Sequence, residues 1–233
     1  MIILDIETVA NKDCGLATYK AATIQAPSNY KDEDKKNEYI AKARLKLYDE
    51  LALSPLTGKI CLVGMMSDSS NPLFDDSVLI DDTKLSYLSA GFDGTTEYQL
   101  IERSLKAIAS YIDDGSLIIT YNGKKFDLPF LIQRAMILGI PRPQHFPNFD
   151  TLCGKYNNRT HYDLFDWLNP NYGSYSQLRE WSYVMNHTDD LSDSGGNIEL
   201  MYADGKFEEI KQKNKRDLLK TYYLYNAIKD WMI

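Results

Sequence analysis

The chain is short of the residues that mark several common protein classes. It has 3 cysteines in 233 residues, Cys14, Cys61 and Cys153, odd in number and widely spaced. That suggests neither a disulfide framework nor a zinc knuckle. Its 3 histidines, His145, His161 and His187, are too scattered for a zinc site. No apolar run approaches the roughly 20 residues of a membrane helix. No charged stretch precedes "MIIL", so a signal peptide is not expected and a reduced, cytoplasmic protein is. Positive charge is in deficit, with 26 Lys and Arg against 33 Asp and Glu and a net charge of −7. This argues against a protein that coats nucleic acid or a membrane surface. It does not exclude one that gathers acids at a single site, where bound cations reverse the local sign. There is no internal repeat, no low-complexity tract and no linker with a sharp shift in composition.

What is present is enough for a packed core: 44% hydrophobic residues, with 17 Tyr, 8 Phe and 3 Trp. The length fits one domain over residues 1–233, with a variable insertion at about 11–57. Met1 to Val9 reads as the first strand. The insertion is charged, and its later part has helical spacing, with Ala41, Leu45 and Tyr48 on one face. "KICLVGMM" from Lys59 reads as a second strand. "PLFDDSVLI" reads as a third, with Pro72 at its start. "EYQLIERSLKAIASYI" places Leu100, Leu105, Ile108 and Ile112 near one stripe of a helix. "SLIITYNG" is a strand running into a turn. A helix follows through "PFLIQRAMILG", with Pro129 in its first turn and Gly139 to end it. "PRPQHFPN" is a proline-rich loop, "SYSQLREWSYVM" a helix and "NHTDDLSDSGGN" a polar loop. "KFEEIKQKNKRDLLKTYYLYNAIKDW" is a long closing helix. Strands alternating with helices in this order predict an α/β layered domain.

The first strand raises the functional question. In "MIILDIETVA", residues two apart share a face, so Asp5 and Glu7 lie side by side while Leu4 and Ile6 face the other way. Two adjacent carboxylates in a largely buried strand repel each other, and one would be driven towards its neutral form. A divalent cation removes the conflict, because hard Mg²⁺ or Mn²⁺ prefers carboxylate oxygen. The bland alternative is an exposed strand end with both acids solvated.

Two further acids stand at similar places. In "IITYNGKKFDLPFL", Asp127 sits where a helix N-cap belongs, directly before a first-turn proline, and capping is its ordinary role. Asn122 and Gly123 are natural turn formers. In the last helix, Ile210, Lys213, Asp217, Thr221, Leu224 and Ile228 share one mostly apolar face. Asp217 is therefore a carboxylate on an inward stripe and needs a partner. Lys213, one turn earlier, is the ordinary candidate, in the weaker of the two helical orientations. Together Asp5, Glu7, Asp127 and Asp217 carry the charge that two Mg²⁺ would balance.

The combination of "LDIET", "ITYNGKKFDLPFL" and a late helical aspartate resembles the four-carboxylate (DEDD) 3′→5′ exonucleases. Within them it is most similar to predicted stand-alone exonucleases related to the proofreading domain of family B DNA polymerases. "ALSPLTGKICLVG", "HYDLFDWL" around Asp163 and "GKFEEIKQKNKRDLLKTYYLY" extend the likeness over most of the chain. The resemblance implies an RNase H-like α/β fold, a mixed central sheet flanked by helices. It implies metal-dependent hydrolysis of phosphodiester bonds at the 3′ end of single-stranded DNA, with RNA left open, by a two-metal-ion mechanism using Mg²⁺ or Mn²⁺. The partners implied are nucleic-acid 3′ ends and replication or repair proteins. On this likeness Asp5 bridges both ions, Glu7 and Asp217 hold the ion that activates water, and Asp127 completes the second position. Asn122, Thr8 and Phe126 are the expected substrate-binding residues. One departure stands out. The family usually has a tyrosine four residues before the last aspartate, or a histidine five before it. Here those positions are Lys213 and Gln212. Lys213 is the fifth candidate catalytic residue, and it also opens a rival reading, a nuclease-fold binding module with little hydrolysis.

Other features are weaker. "DDLSDSGGNIEL" fails the spacing of a calcium loop, because the twelfth position from Asp190 is Met201. The basic residues Lys211, Lys213, Lys215, Arg216 and Lys220, with Lys124 and Lys125, are candidate phosphate contacts. Surplus Tyr and Phe near the motifs could stack on unpaired bases.

Overall fold

The computed structural model describes residues 1–67, 77–80, 83–89, 94–169, 176–185 and 198–232, with backbone only for 77–80 and 83–89. In chain order its elements are β1 (Ile2–Ala10), α1 (Gly15–Ala22), α2 (Glu33–Ala52), β2 (Gly58–Ser67), β3 (Ser77–Ile80), β4 (Thr83–Ser89), α3 (Glu97–Asp113), β5 (Ile118–Thr120), α4 (Asp127–Ile137), α5 (Phe149–Cys153), β6 (His161–Asp163), α6 (Leu164–Leu168), α7 (Leu178–Val184), α8 (Ile198–Ala203) and α9 (Phe207–Ile228). The polar stretch 186–197, with His187, and Pro72 of the expected third strand lie outside the described residues.

The strands form one sheet in the order β3-β4-β2-β1-β5-β6. β1 is antiparallel to β2 and parallel to β5, so the sheet is mixed, as expected. The alternation read from "MIILDIETVA" holds: Ile2, Leu4 and Ile6 join Leu100, Ile108 and Leu131 of α3 and α4 in one core. Ile3, on the opposite face, packs with Leu218 and Leu224 of α9. Each fully buried aliphatic of this kind contributes roughly 1.5–3 kcal/mol. Asp5 and Glu7 are therefore turned towards α9. The pairing of β1 with β2 shifts between Glu7 and Thr8, an irregularity that re-aims side chains at the strand's far end.

The stretch 11–57 contains α1 and α2. Asp32 caps α2, its carboxylate accepting from the N–H groups of Asp34 and Lys35. The stripe expected there is only partly right. Ala41 and Leu45 are exposed, while Tyr48 packs with Leu47 and Leu51 against Ala10 and Ala17. The early turns of α2 are charged and hold their own surface pairs, Lys36–Glu33 and Lys42–Glu38. Only its last turns reach the sheet.

Gly139, at φ 69°, ends α4 as expected, since the left-handed region disfavours side chains. Asp127 does not cap that helix. α4 starts at Asp127 itself, no side chain caps it, and the carboxylate instead accepts the N–H of Ile6 at 3.0 Å. A lateral bond to β1 has displaced a local one. Arg134 of α4 grips Glu97 of α3 through two N–H groups at 2.9 and 2.6 Å, and Glu97 also accepts the N–H of Ile60. One buried pair thus joins α3, α4 and β2. The three cysteines are free. Among the described residues, no helix is long and apolar enough to cross a membrane.

His161 is structural. Its Nδ1–H donates to the Leu152 carbonyl at 2.7 Å, and Nε2 accepts from Thr120 Oγ1 at 2.7 Å. Thr120 Oγ1 in turn accepts the N–H of Gly123 at 3.1 Å, fixing the start of the turn after β5. Burial drives the His161 pKa down to about 4. Its folded value lies below the unfolded one, near 6.5. Its contribution is therefore complete above pH 6.5 and is lost as pH falls towards 4, on the order of 3 kcal/mol in all. An NMR titration is expected to show the His161 ring neutral down to about pH 4. A midpoint near 6 would refute this.

Candidate active site

The site forms where α9 crosses β1 and the start of α4. One carboxylate oxygen each from Asp5, Glu7 and Asp217 lies within 4.8 Å of the others. Asp127 stands beside this set rather than in it. Its bond to the Ile6 N–H places it between the two acids of β1, on the strand's edge. The surrounding protein pushes the Asp5 carboxyl well above the usual range, and the charges of Asp127, Glu7 and Asp217 all push it further. Three acids thus act on Asp5. Asp127 is raised to about 7, chiefly by burial, with the Ile6 N–H opposing.

Lys213 lies among these acids. Its ammonium donates to Glu7 Oε1 at 2.9 Å and to Asp217 Oδ2 at 3.1 Å. Burial would lower its pKa, but Glu7 and Asp217 more than offset this and raise it. The pairing considered from sequence, Lys213 with Asp217 along the helix, is present but is only half of the arrangement. Lys220 donates to Asp217 Oδ1 at 3.0 Å from one turn further on. Asn214, fully buried, donates from Nδ2 to Asp5 Oδ2 at 2.6 Å. It fits because Asp5 pairs in register with Gly64 of β2, which leaves room for the amide over the sheet. Neither Asn214 nor the role of Lys220 was read from sequence. The available signal was position: both lie within a turn of Asp217, and both are buried polar residues of α9.

The expected substrate residues divide. Thr8 and Phe126 line one cleft with Glu7 and Lys213, about 370 Å³ in volume and walled by Ala52 and Leu53 of the α2 end. Asn122 is not among the residues lining it. At φ 70° it forms the turn after β5, and its N–H donates to Asp163 Oδ1 at 2.7 Å. Asp163 also accepts from the N–H groups of Lys124 and Phe165, at 2.9 and 3.0 Å. This acid of "HYDLFDWL" thus clamps the loop that leads into Asp127. Lys124 does not serve as an exposed phosphate contact. It is buried, with its ammonium on the Asn157 carbonyl and Asn158 Oδ1. Lys125 pairs with Asp166 at 2.7 Å. A second cleft, about 170 Å³, opens on the other side of the acids and is lined by Asp5, Asp217, Tyr121, Arg179 and Lys220.

The family of predicted 3′-5′ exonucleases related to the exonuclease domain of PolB matches residues 77–231. The chain belongs to this family. The matched span takes in Asp127, Lys213 and Asp217 and starts after β1; Asp5 and Glu7, outside it, meet Asp217 in space. DNA polymerase 1 of Pyrococcus abyssi is 38% identical over 79 residues, 30% of this chain and 10% of the polymerase. The DNA polymerase of Thermococcus litoralis is 26% identical over 142 residues, 56% of this chain and 8% of the polymerase. The solved family B DNA polymerase of Pyrobaculum calidifontis superposes with a TM-score of 0.56 at 15% identity, over 97% of this chain and 24% of that one. This likeness shows the fold, which is RNase H-like. The matched regions are thus a quarter or less of these polymerases' length.

Proposed function

We propose that the protein is a divalent-cation-dependent 3′→5′ exonuclease acting on single-stranded nucleic acid, DNA in the first instance and RNA as a second substrate. The observation that carries this is the convergence of Asp5, Glu7 and Asp217 within 4.8 Å, with Asp127 pressing on Asp5. Residues more than 200 positions apart in sequence meet as a cluster of hard oxygen donors, which suits Mg²⁺ or Mn²⁺. Asp5, Glu7, Asp127 and Asp217 would hold two such ions at full loading. The ions supply Lewis acidity, easing deprotonation of the attacking water and stabilising charge on the phosphorus and the departing 3′ oxygen. The chain's own residues supply position. Thr8 and Phe126 offer a polar and an aromatic surface for the terminal nucleotide, and Lys213 faces the same cleft. In the second cleft Lys220 and Arg179 set two cations against Asp5 and Asp217. A cytoplasmic role in DNA replication or repair belongs to the same proposal.

A second reading rests on the Lys213 bridge. An ammonium already seated between Glu7 and Asp217 suits a protein that binds strands without cutting them. The test is a 5′-labelled single-stranded oligonucleotide incubated with Mg²⁺, Mn²⁺ or EDTA, with an RNA version alongside. The expected result is a metal-dependent ladder shortening from the 3′ end, stopped by a phosphorothioate at the last linkage. Retention of the strand with no shortening would favour the binding module, and neither retention nor shortening would remove both readings.

A further inference from the structure

We propose that Lys213 and Lys220 are tethered counter-cations of the acidic cluster, so that the resting site is charge-matched for one divalent ion. A second ion then loads only by expelling the Lys213 ammonium. The inference rests on the reading of these acids as cation ligands.

Three observations carry it. Lys213 bridges two carboxylates from different elements, Glu7 of β1 and Asp217 of α9, at 2.9 and 3.1 Å, the bridging place of a shared cation. Second, each oxygen of Asp217 carries an ammonium, Lys213 on Oδ2 and Lys220 on Oδ1. An ion entering between Glu7 and Asp217 must displace one of them. Third, both lysines are buried, at 7% and 6% exposure, so neither contact is a loose surface pair screened by solvent. When all four carboxylates are ionised, as a bound cation would hold them, the two hydrogen-bonded ammoniums leave two negative charges, the charge of one divalent ion. Of the clustered acids, Asp5 bonds to neither lysine and is the natural first ligand.

Of the two lysines Lys213 is the displaceable one. It lines the larger cleft and so has space to swing into, whereas Lys220 lies on the other side of Asp217 in the second cleft. A tyrosine at position 213, as in the resembling families, would leave the Glu7–Asp217 place open to a cation. Here the second ion pays for separating a buried ammonium from two carboxylates. Substrate phosphate entering the cleft would offer the released ammonium a new partner, which couples loading of the second ion to the presence of a strand.

The experiment is calorimetric titration of the full-length protein with Mn²⁺ in the absence of nucleic acid, for wild type, Lys213→Met and Lys213→Arg. Expected for wild type is one ion bound tightly and a second at least about tenfold weaker. Lys213→Met is expected to close that gap by strengthening the second step alone, and Lys213→Arg to keep it. Two equally tight ions in wild type, or a gap unchanged in Lys213→Met, would overturn the inference while leaving the acids as ligands. No Mn²⁺ bound by any of the three would remove the ligand reading itself. If Lys213→Met is unfolded in EDTA, circular dichroism during Mn²⁺ addition decides: refolding supports an ion taking the lysine's place, and persistent unfolding overturns it.

Discussion

Asp5→Asn is expected to slow metal-dependent 3′ shortening by about 10³-fold, several kcal/mol of transition-state stabilisation, while the protein stays folded. Asparagine has the size of aspartate and keeps an oxygen for the Asn214 amide, which reaches Asp5 at 2.6 Å. What it lacks is charge. Without metal, that charge is a liability, because burial and the charges of Asp127, Glu7 and Asp217 all disfavour ionised Asp5. Urea denaturation in EDTA should therefore find the variant as stable as wild type or more so, the pattern of a residue retained for function at a cost in stability. Activity within tenfold of wild type would remove Asp5 from the proposed ligand set. Loss of the fold would reassign it to structure.

Gly64→Ala is expected to cost roughly 1–3 kcal/mol, the usual penalty of overpacking, and to remove most of the activity although Gly64 lines neither cleft. A Cβ on Gly64 would lie 1.7 Å from Asn214 Oδ1 and 2.8 Å from Leu218 Cδ1. The amide cannot simply turn aside, because its other end is bound to Asp5 and the residue is fully buried. Either Asn214 releases Asp5, or α9 lifts from β2 and carries Lys213 and Asp217 with it. Thermal or urea unfolding measures the first effect and oligonucleotide shortening the second. Combining Gly64→Ala with Asn214→Ala removes the worst clash, so the pair should be less destabilised than the sum of the single variants. Strict additivity would count against this account.

How much of this was legible depends on whether the signal is local. The shared face of Asp5 and Glu7 follows from the two-residue period of a strand, and nothing distant alters it. The inward face of α9 follows equally from helical period, and Ile210, Leu224 and Ile228 are buried along it. Where long-range contact decides, reading was weaker. Asp127 has the sequence context of an N-cap, yet its carboxylate serves the Ile6 N–H, 121 residues away. Lys124 looked like a surface cation, but the 157–158 turn gave its ammonium a buried seat. Leu45 matched a helical stripe, yet it is exposed. The short elements β6, α5, α6 and α8, of 3 to 6 residues, carry too little periodicity to be recognised alone.

By itself, the sequence determined the α/β class, the principal strands and helices, and the pairing of two acids on one strand face. These depend on backbone periods and residue type within about ten positions. Only the tertiary structure decided that α9 lies across β1 and β2 at Asp5 and Gly64, that Asn214 reaches Asp5, and that Lys213 and Lys220 divide Asp217 between them. The reason is physical. A carboxylate's character is set by the charges and solvent within a few ångströms, and in this fold those neighbours come from chain segments some two hundred residues apart.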